Sequence, residues 1–184
     1  MEGIKISNRI IVSTCKYREL YFAVAVNDGK IIKTVLPRLN EEDVITEISK
    51  GYSSFKLHKK YEDLAKDVGR AYFGEKISFK NKFLDQLKGS FQRDVLGEVL
   101  KIPYGETKTY KQIAEAIDSK AYRAVGTAIG KNPLPIIIPC HRVVKSDLSI
   151  GGFFGGTKMK KEILENEGIC IINGKIKLAK TENK

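Results

Sequence analysis

Two apolar runs, Tyr21 to Val26 and Ile31 to Leu36, flank the turn signal Asn27-Asp28-Gly29, and this is the strongest fold constraint in the chain. Asn, Asp and Gly tolerate the left-handed backbone that a tight reversal needs, so the pattern reads as a β-hairpin. A lone hairpin is marginal in water. The apolar pairs in Ile4-Lys5-Ile6 and Ile10-Ile11-Val12 offer it further strands. Helical patterning follows. Asn40 through Ser49 places Val44, Ile45 and Ile48 on one face, and Leu57 to Phe73 reads as a second helix. The pattern loosens at Gly74 and around Lys80-Asn81-Lys82. The expected fold class is therefore α+β, with an N-terminal α/β domain over residues 1–89 built on a small antiparallel sheet. A mostly helical C-terminal domain is expected over residues 90–184.

The second part is more sharply punctuated. Ser90 is placed to cap a helix whose apolar positions are Phe91, Val95, Leu96, Val99 and Leu100, and Pro103-Tyr104-Gly105 ends it. Thr109 and Gln112 have capping-box spacing, opening a short helix that turns Ile113, Ala114 and Ile117 inward. Asp118-Ser119 breaks that helix, and Ser119 is placed to cap the next. There Ala121, Ala124, Val125, Ala128 and Ile129 form a narrow core face. Two short helices joined by a tight polar turn have the form of a helix-turn-helix, although two packed helices with no DNA function would look similar. Gly126 and Thr127, beside Arg123, would let the second helix approach a groove closely. Gly126 costs that helix about 1 kcal/mol relative to Ala, so a packing or contact reason is expected.

Charge and cysteines narrow the function. Thirty-three Lys and Arg against twenty-two Asp and Glu give a formal net charge of +11 in 184 residues. Such an excess attracts polyanions, nucleic acid foremost. No apolar stretch approaches the ~20 residues that span a bilayer, and the N-terminus lacks the plan of a signal peptide. A cytoplasmic protein without membrane attachment is expected. Cys15, Cys140 and Cys170 are too far apart for a disulfide framework, and with only His58 and His141 available no zinc pattern exists. No metal and no cofactor are expected. Cys15 and Cys170 lie in apolar, strand-like stretches and read as small buried hydrophobes, with a bridge between them left open.

Cys140 is different. It follows Asn132-Pro133-Leu134-Pro135-Ile136-Ile137-Ile138-Pro139, where three prolines stiffen the approach, and His141 follows directly. Thiolate is the reactive form of cysteine, and a neighbouring His favours it. A Cys-His pair alone reads equally well as a buried Cys at a strand end beside a structural His. The longer string Pro139-Cys140-His141-Arg142-Val143 resembles the active-site signature of the O6-alkylguanine-DNA alkyltransferases. The resemblance runs almost without a gap from about Phe91 to Gly168. It includes Arg123-Ala124-Val125-Gly126, Asn132-Pro133, Gly155-Gly156, Lys160 and Glu167-Gly168. The first ninety or so residues carry no comparable signature, as expected for that family's variable N-terminal domain.

The resemblance implies an irreversible, single-turnover transfer of the alkyl group from O6-alkylguanine in double-stranded DNA to Cys140, with O4-alkylthymine left open as a second substrate. It implies that His141 takes the thiol proton through a water, that Glu167 orients His141, and that Tyr110 donates to the leaving guanine. Arg123 would fill the gap left by a rotated nucleotide, because the thiol cannot reach a stacked base. Lys111 and Ser146 fall where the family contacts phosphate or nearby backbone, and Asn132 matches the Asn whose turn joins the recognition helix to the active-site strand. Phe153 stands where the family commonly has a Tyr in the pocket wall, so a hydroxyl hydrogen bond is lost there. Lys160 matches a Lys near the pocket. Without the resemblance, Glu167 and Lys160 would read as solvated helix residues and Tyr110 as a core aromatic. A monomer is expected, with cooperative binding along DNA left open. The alternatives are a lesion-binding relative that lacks transfer, a helix-turn-helix regulator with a structural or redox-sensing Cys140, and a thiol hydrolase.

Overall fold

The computed structural model describes residues 10–79 and 89–177. The hairpin is present. Strands β1 (Ile10–Tyr17), β2 (Leu20–Asn27) and β3 (Lys30–Thr34) form consecutive antiparallel pairs, and β4 (Lys56–Leu57) adds to β1 in parallel, giving the order β3-β2-β1-β4. Asp28 and Gly29 both sit at positive φ, 47° and 75°, as a type I′ turn requires. The proposed strand at Ile4-Lys5-Ile6 and the stretch Lys80-Asn81-Lys82 lie outside the described residues.

β2 is buried from Phe22 to Val26, with both faces covered, which suits its apolar run there. Ala23 and Ala25, with Val12 and Val35, pack under helix α1 (Glu41–Ser49) through Val44 and Ile48. Phe22, Val24 and Val26 face the other way, into the main core. There they meet Ala65, Val68 and Tyr72 of helix α2 (Glu62–Tyr72) and residues of the C-terminal half. Asn40 caps α1, its side chain accepting from the Asp43 N–H at 2.8 Å. The expected helix over Leu57 to Phe73 begins later. Leu57 belongs to β4, a 3-10 turn covers Lys59–Tyr61, and α2 starts at Glu62.

The C-terminal half contains α3 (Ser90–Leu100), β5 (Lys108–Thr109), α4 (Tyr110–Ala116) and α5 (Tyr122–Gly130). These are followed by β6 (Val143–Val144), α6 (Gly156–Asn166) and the hairpin β7 (Ile171–Ile172) with β8 (Lys175–Ile176). Ser90 does not cap α3. It is the first helical residue, and Gly89 occupies the cap position without a side-chain bond. The Thr109–Gln112 capping box is formed in both directions. Ser119 does not cap α5 directly; its hydroxyl accepts from the Ala121 N–H just ahead of the helix. The buried face of α5 is narrower than expected, with Val125, Ala128 and Ile129 buried and Ala121 and Ala124 exposed. Short helices carry few core positions, and α5 spends its remaining surface facing outward. No helix among the described residues is long and apolar enough to cross a membrane.

Candidate active site

Cys140 opens a single 3-10 turn, Cys140–Arg142, which leads into β6. It is not at a strand end. Asn132 holds the proline-stiffened approach: its Oδ1 accepts from the Leu134 N–H at 3.0 Å, and its Nδ2 donates to the Ile138 carbonyl at 2.9 Å. One side chain thus closes the loop between α5 and the cysteine. The N-terminal sheet braces the same loop. Thr34 donates its backbone N–H to the Pro133 carbonyl at 3.0 Å and its hydroxyl to the Pro135 carbonyl at 2.9 Å.

Behind the thiol lies a buried charge cluster. His141 Nε2 is 2.9 Å from Glu167 Oε1. Arg142 clamps the same carboxylate in bidentate fashion, Nη2 to Oε1 and Nε to Oε2, both at 2.8 Å, and its Nη1 reaches the Ile102 carbonyl at 2.8 Å. Burial alone would push the Glu167 carboxyl up, but the hydrogen bonds from His141 and Arg142 more than offset this and hold it down to about 2. The carboxylate can only accept, so His141 Nε2 carries the hydrogen and Nδ1 is left as the acceptor. Nδ1 is buried and has no protein partner among the described residues. Burial pushes the His141 imidazole below its ordinary 6.5 despite Glu167, with Arg142 and Lys160 adding to the push, so the ring is neutral at physiological pH.

Lys160 is wholly buried behind the cleft, unlike a solvated helix residue. Its ammonium donates to the carbonyls of Val143 and Gly152. Burial lowers its pKa to about 8, and the Cys140 charge opposes that. Burial raises the Cys140 thiol, while Asn132 and the Lys160 cation pull it back down. The thiol is therefore protonated at rest, with a proton acceptor and a cation built close to it.

Cys140 opens into a cleft of about 500 Å³ whose lining includes Tyr110, Gly126, Asn132 and Phe153, and from the N-terminal sheet Thr34 and Leu36. The Tyr110 ring stands between two glycines. A Cβ on Gly126 would lie 3.9 Å from one ring edge, and one on Gly151 would lie 3.7 Å from the other. Burial raises the Tyr110 hydroxyl, so it remains a proton donor. Phe153 is half-buried in the wall, and its neighbour Phe154 is 77% exposed at the rim. Arg123, Lys111 and Ser146 are exposed outside the cleft, with Lys111 in a loose 3.7 Å pair with Glu115. Thr127 is also exposed, and its hydroxyl donates back to the Arg123 carbonyl at 3.0 Å.

Comparison with known proteins places the chain in a family. Residues 90–169 match the family model described as 6-O-methylguanine DNA methyltransferase, DNA binding domain. A methylated-DNA--protein-cysteine methyltransferase of Archaeoglobus fulgidus is 37% identical over 161 residues, covering 84% of this chain and 97% of that protein. The chain belongs to the methylated-DNA--protein-cysteine methyltransferase family. A relative of the same name from Sulfolobus acidocaldarius is 40% identical over 111 residues, 60% of this chain and 70% of that one. Among solved structures, the Mycobacterium tuberculosis OGT in complex with DNA superposes with a TM-score of 0.69 at 28% identity, covering 85% of this chain and 92% of that one. The O6-methylguanine-DNA methyltransferase of Pyrococcus kodakaraensis superposes with a TM-score of 0.67 at 28% identity, covering 87% and 99%. The α+β architecture of the family extends over the N-terminal sheet, where sequence alone showed no signature.

Within this family fold the structure brings Cys140, Asn132, Tyr110, Phe153 and Gly126 to one cleft, with His141, Glu167 and Lys160 behind it. Sequence reasoning missed three supports. Arg142 was part of the quoted signature but had no partner in view, because its carboxylate lies 25 residues away. Gln92, on α3, donates to the Ala128 and Lys131 carbonyls at 3.4 and 3.1 Å and so ties down the end of α5. Thr34 carried no signal at all. Cys170 is exposed rather than buried, because β7 is a surface strand beside it, and all three cysteines are free.

Proposed function

We propose that the protein repairs DNA by transferring the alkyl group of O6-alkylguanine irreversibly to Cys140. The observation that carries this reading is the thiol itself, held on a proline-stiffened turn at the cleft with a buried His–Glu–Arg cluster behind it. His141 Nδ1 takes the thiol proton through a bridging water. Lys160 offsets the thiolate charge as it forms. The thiolate sulfur attacks the saturated alkyl carbon, a C–S bond forms, and the C–O6 bond breaks with its electron pair going to the guanine. Tyr110 donates a hydrogen bond to the base as that negative charge develops. The product is a thioether, which water does not readily cleave, so each molecule reacts once.

The DNA partner is a duplex. The α4–α5 pair presents Arg123 on an exposed helix with Gly126 facing the cleft, which suits a guanidinium that fills the space of a rotated nucleotide. Lys111 and Ser146 lie outside the cleft, where phosphates would pass. The protein acts as a monomer in the cytoplasm. A relative that binds lesions without transfer would have no use for the nucleophile, and Cys140 is present and supported.

The test is intact mass after incubation with a duplex that carries O6-methylguanine. One methyl per protein, located on Cys140 and absent from Cys140→Ala, is expected. Tight binding without a gain in mass would overturn the transfer reading in favour of lesion binding. Arg123→Ala is expected to react poorly with the duplex and normally with free O6-benzylguanine.

A further inference from the structure

The turn that follows β6 is tied by its own backbone. The Lys145 N–H donates to the Ser149 carbonyl at 2.9 Å, and the Leu148 N–H donates to the Lys145 carbonyl at 3.0 Å. The C-terminal hairpin then grips this turn from outside. Ile150 N–H donates to the Gly174 carbonyl at 3.1 Å, and Ile176 N–H to the Leu148 carbonyl at 2.8 Å. A small separate core of Val144, Ile150, Leu164, Ile169 and Ile176 underlies the contact. The hairpin lies beyond residue 169, where the family match ends.

This bracing fixes where Lys145 stands. Its stem lies against Gly151: a Cβ there would come 3.3 Å from Lys145 Cγ and 3.9 Å from Cε, with the Tyr110 ring 3.7 Å from the same point. Tyr110 lines the cleft and Lys145 does not. The lysine therefore sits just outside the mouth, across one glycine from the Tyr110 ring, and it is exposed. Asp147, the acid within its own turn, is engaged by the Ser149 hydroxyl and N–H at 2.7 and 3.1 Å and by Lys175 at 3.8 Å. A guanine that enters the cleft past Tyr110 leaves its own sugar and phosphate outside the mouth. The rim at that point presents a cation on a preorganised turn.

From this we infer that Lys145 is a positioning residue that holds a backbone phosphate next to the rotated nucleotide, with the C-terminal hairpin serving as its brace. The inference rests on the DNA-repair reading above. The contact is ionic and sequence-independent, as repair in any sequence requires. It orders the flipped nucleotide and touches neither the alkyl carbon nor the thiol.

The experiment compares Lys145→Ala with Lys59→Ala, which removes the same charge from the N-terminal domain. Duplex binding is measured over a salt series, and single-turnover transfer is measured with duplex O6-methylguanine and with free O6-benzylguanine. For Lys145→Ala the slope of log affinity against log salt is expected to fall by about 0.9, the value of one phosphate contact on duplex DNA. Duplex transfer at subsaturating DNA is expected to fall about tenfold, with free-base transfer unchanged and Lys145→Arg restoring duplex transfer. Lys59→Ala should leave the slope unaltered. An unchanged slope in Lys145→Ala, an equal slope change in Lys59→Ala, or an equal loss on both substrates would overturn the inference. Absence of transfer by the wild type would instead refute the repair reading.

Discussion

Glu167→Gln isolates the charge of the buried cluster at nearly constant volume. The Glu167 carboxylate accepts three hydrogen bonds, two from Arg142 and one from His141, with 3% of its side chain exposed. A glutamine amide has one oxygen, so its NH2 must face either Arg142 Nε or the His141–Arg142 pair, and N–H then opposes N–H. It also leaves the Arg142 guanidinium, only 14% exposed, without its counter-charge. Breaking a buried pair in this way costs about 3–5 kcal/mol. The titration of Glu167 gives the same scale independently, since holding its pKa at about 2 rather than 4.5 corresponds to about 3 kcal/mol. The sign follows from the depressed folded value: this stability is present above about pH 4.5 and is lost as pH falls toward 2. Guanidinium unfolding at neutral pH should therefore show a loss of about 3 kcal/mol for Glu167→Gln, with a flatter acid limb than the wild type. Transfer to free O6-benzylguanine should fall by about 100-fold or more, the range for losing an oriented general base. Adding Arg142→Met removes the stranded cation, so the double variant should recover part of the stability but none of the rate. A loss below about 1 kcal/mol, or recovery of the rate in the double variant, would refute the assignment of Glu167 as the group that orients His141.

Gly126→Ala should stabilise the protein by about 0.5–1 kcal/mol, because the new methyl meets Tyr110 at an ordinary 3.9 Å and alanine favours helix; duplex repair should nevertheless fall, and unimpaired repair in a thermal-melt and transfer comparison would remove the argument that this glycine serves approach to DNA. Gly74→Ala should destabilise by more than about 2 kcal/mol, since Gly74 has φ +88° and a Cβ there would lie 2.1 Å from the Asn166 carbonyl oxygen, one residue before Glu167; a slowed free-base transfer should accompany it, and an unaltered melting temperature would contradict the packing. The acid limb of free-base transfer should inflect below 6.5, because a depressed His141 stays neutral, and able to accept a proton, to lower pH than an ordinary histidine; an inflection above 6.5 would mean that His141 is not the base.

The legible parts of the chain were those where one local pattern decides one local structure. The Asp28-Gly29 turn and the Thr109–Gln112 capping box each involve residues a few positions apart, and each forms as the spacing dictates. Ser90 shows the limit of the same logic. A capping residue type one position inside the helix looks like a cap, but Gly89 already provides the extended backbone that the cap position needs. Ala121 and Ala124 fit the helical period of α5 yet remain exposed, because alanine carries too little apolar surface to force burial on an element that also faces outward. Cys170 likewise sat in an apolar stretch whose period did not reveal which face was covered.

Without the family resemblance, the chemistry was legible only to its nearest neighbour in sequence. Cys140 and His141 adjoin, but adjacent residues in a 3-10 turn point in different directions, and adjacency alone does not make a base of His141. What would make it one, in the proposed mechanism, is distant. Burial keeps the imidazole neutral with the Arg142 and Lys160 cations adding to the effect, Glu167, 26 residues on, fixes the tautomer, and the Lys160 charge also pulls the thiol down. None of these partners signals its role locally, because a charged residue on a helix is ordinarily solvated. Their burial depends on the core that the N-terminal sheet completes. Thr34 bonds to the cysteine loop, and Asn166, the residue before Glu167, donates to the Tyr72 carbonyl at 3.1 Å. The N-terminal half lacks a recognisable signature for the same reason that it works as a support. It acts through packing shape and hydrogen bonds to backbone, such as those of Thr34 to the cysteine loop and of Asn166 to the Tyr72 carbonyl, which many different sequences can supply, whereas the proposed chemistry needs a thiol, an imidazole and a carboxylate at single positions.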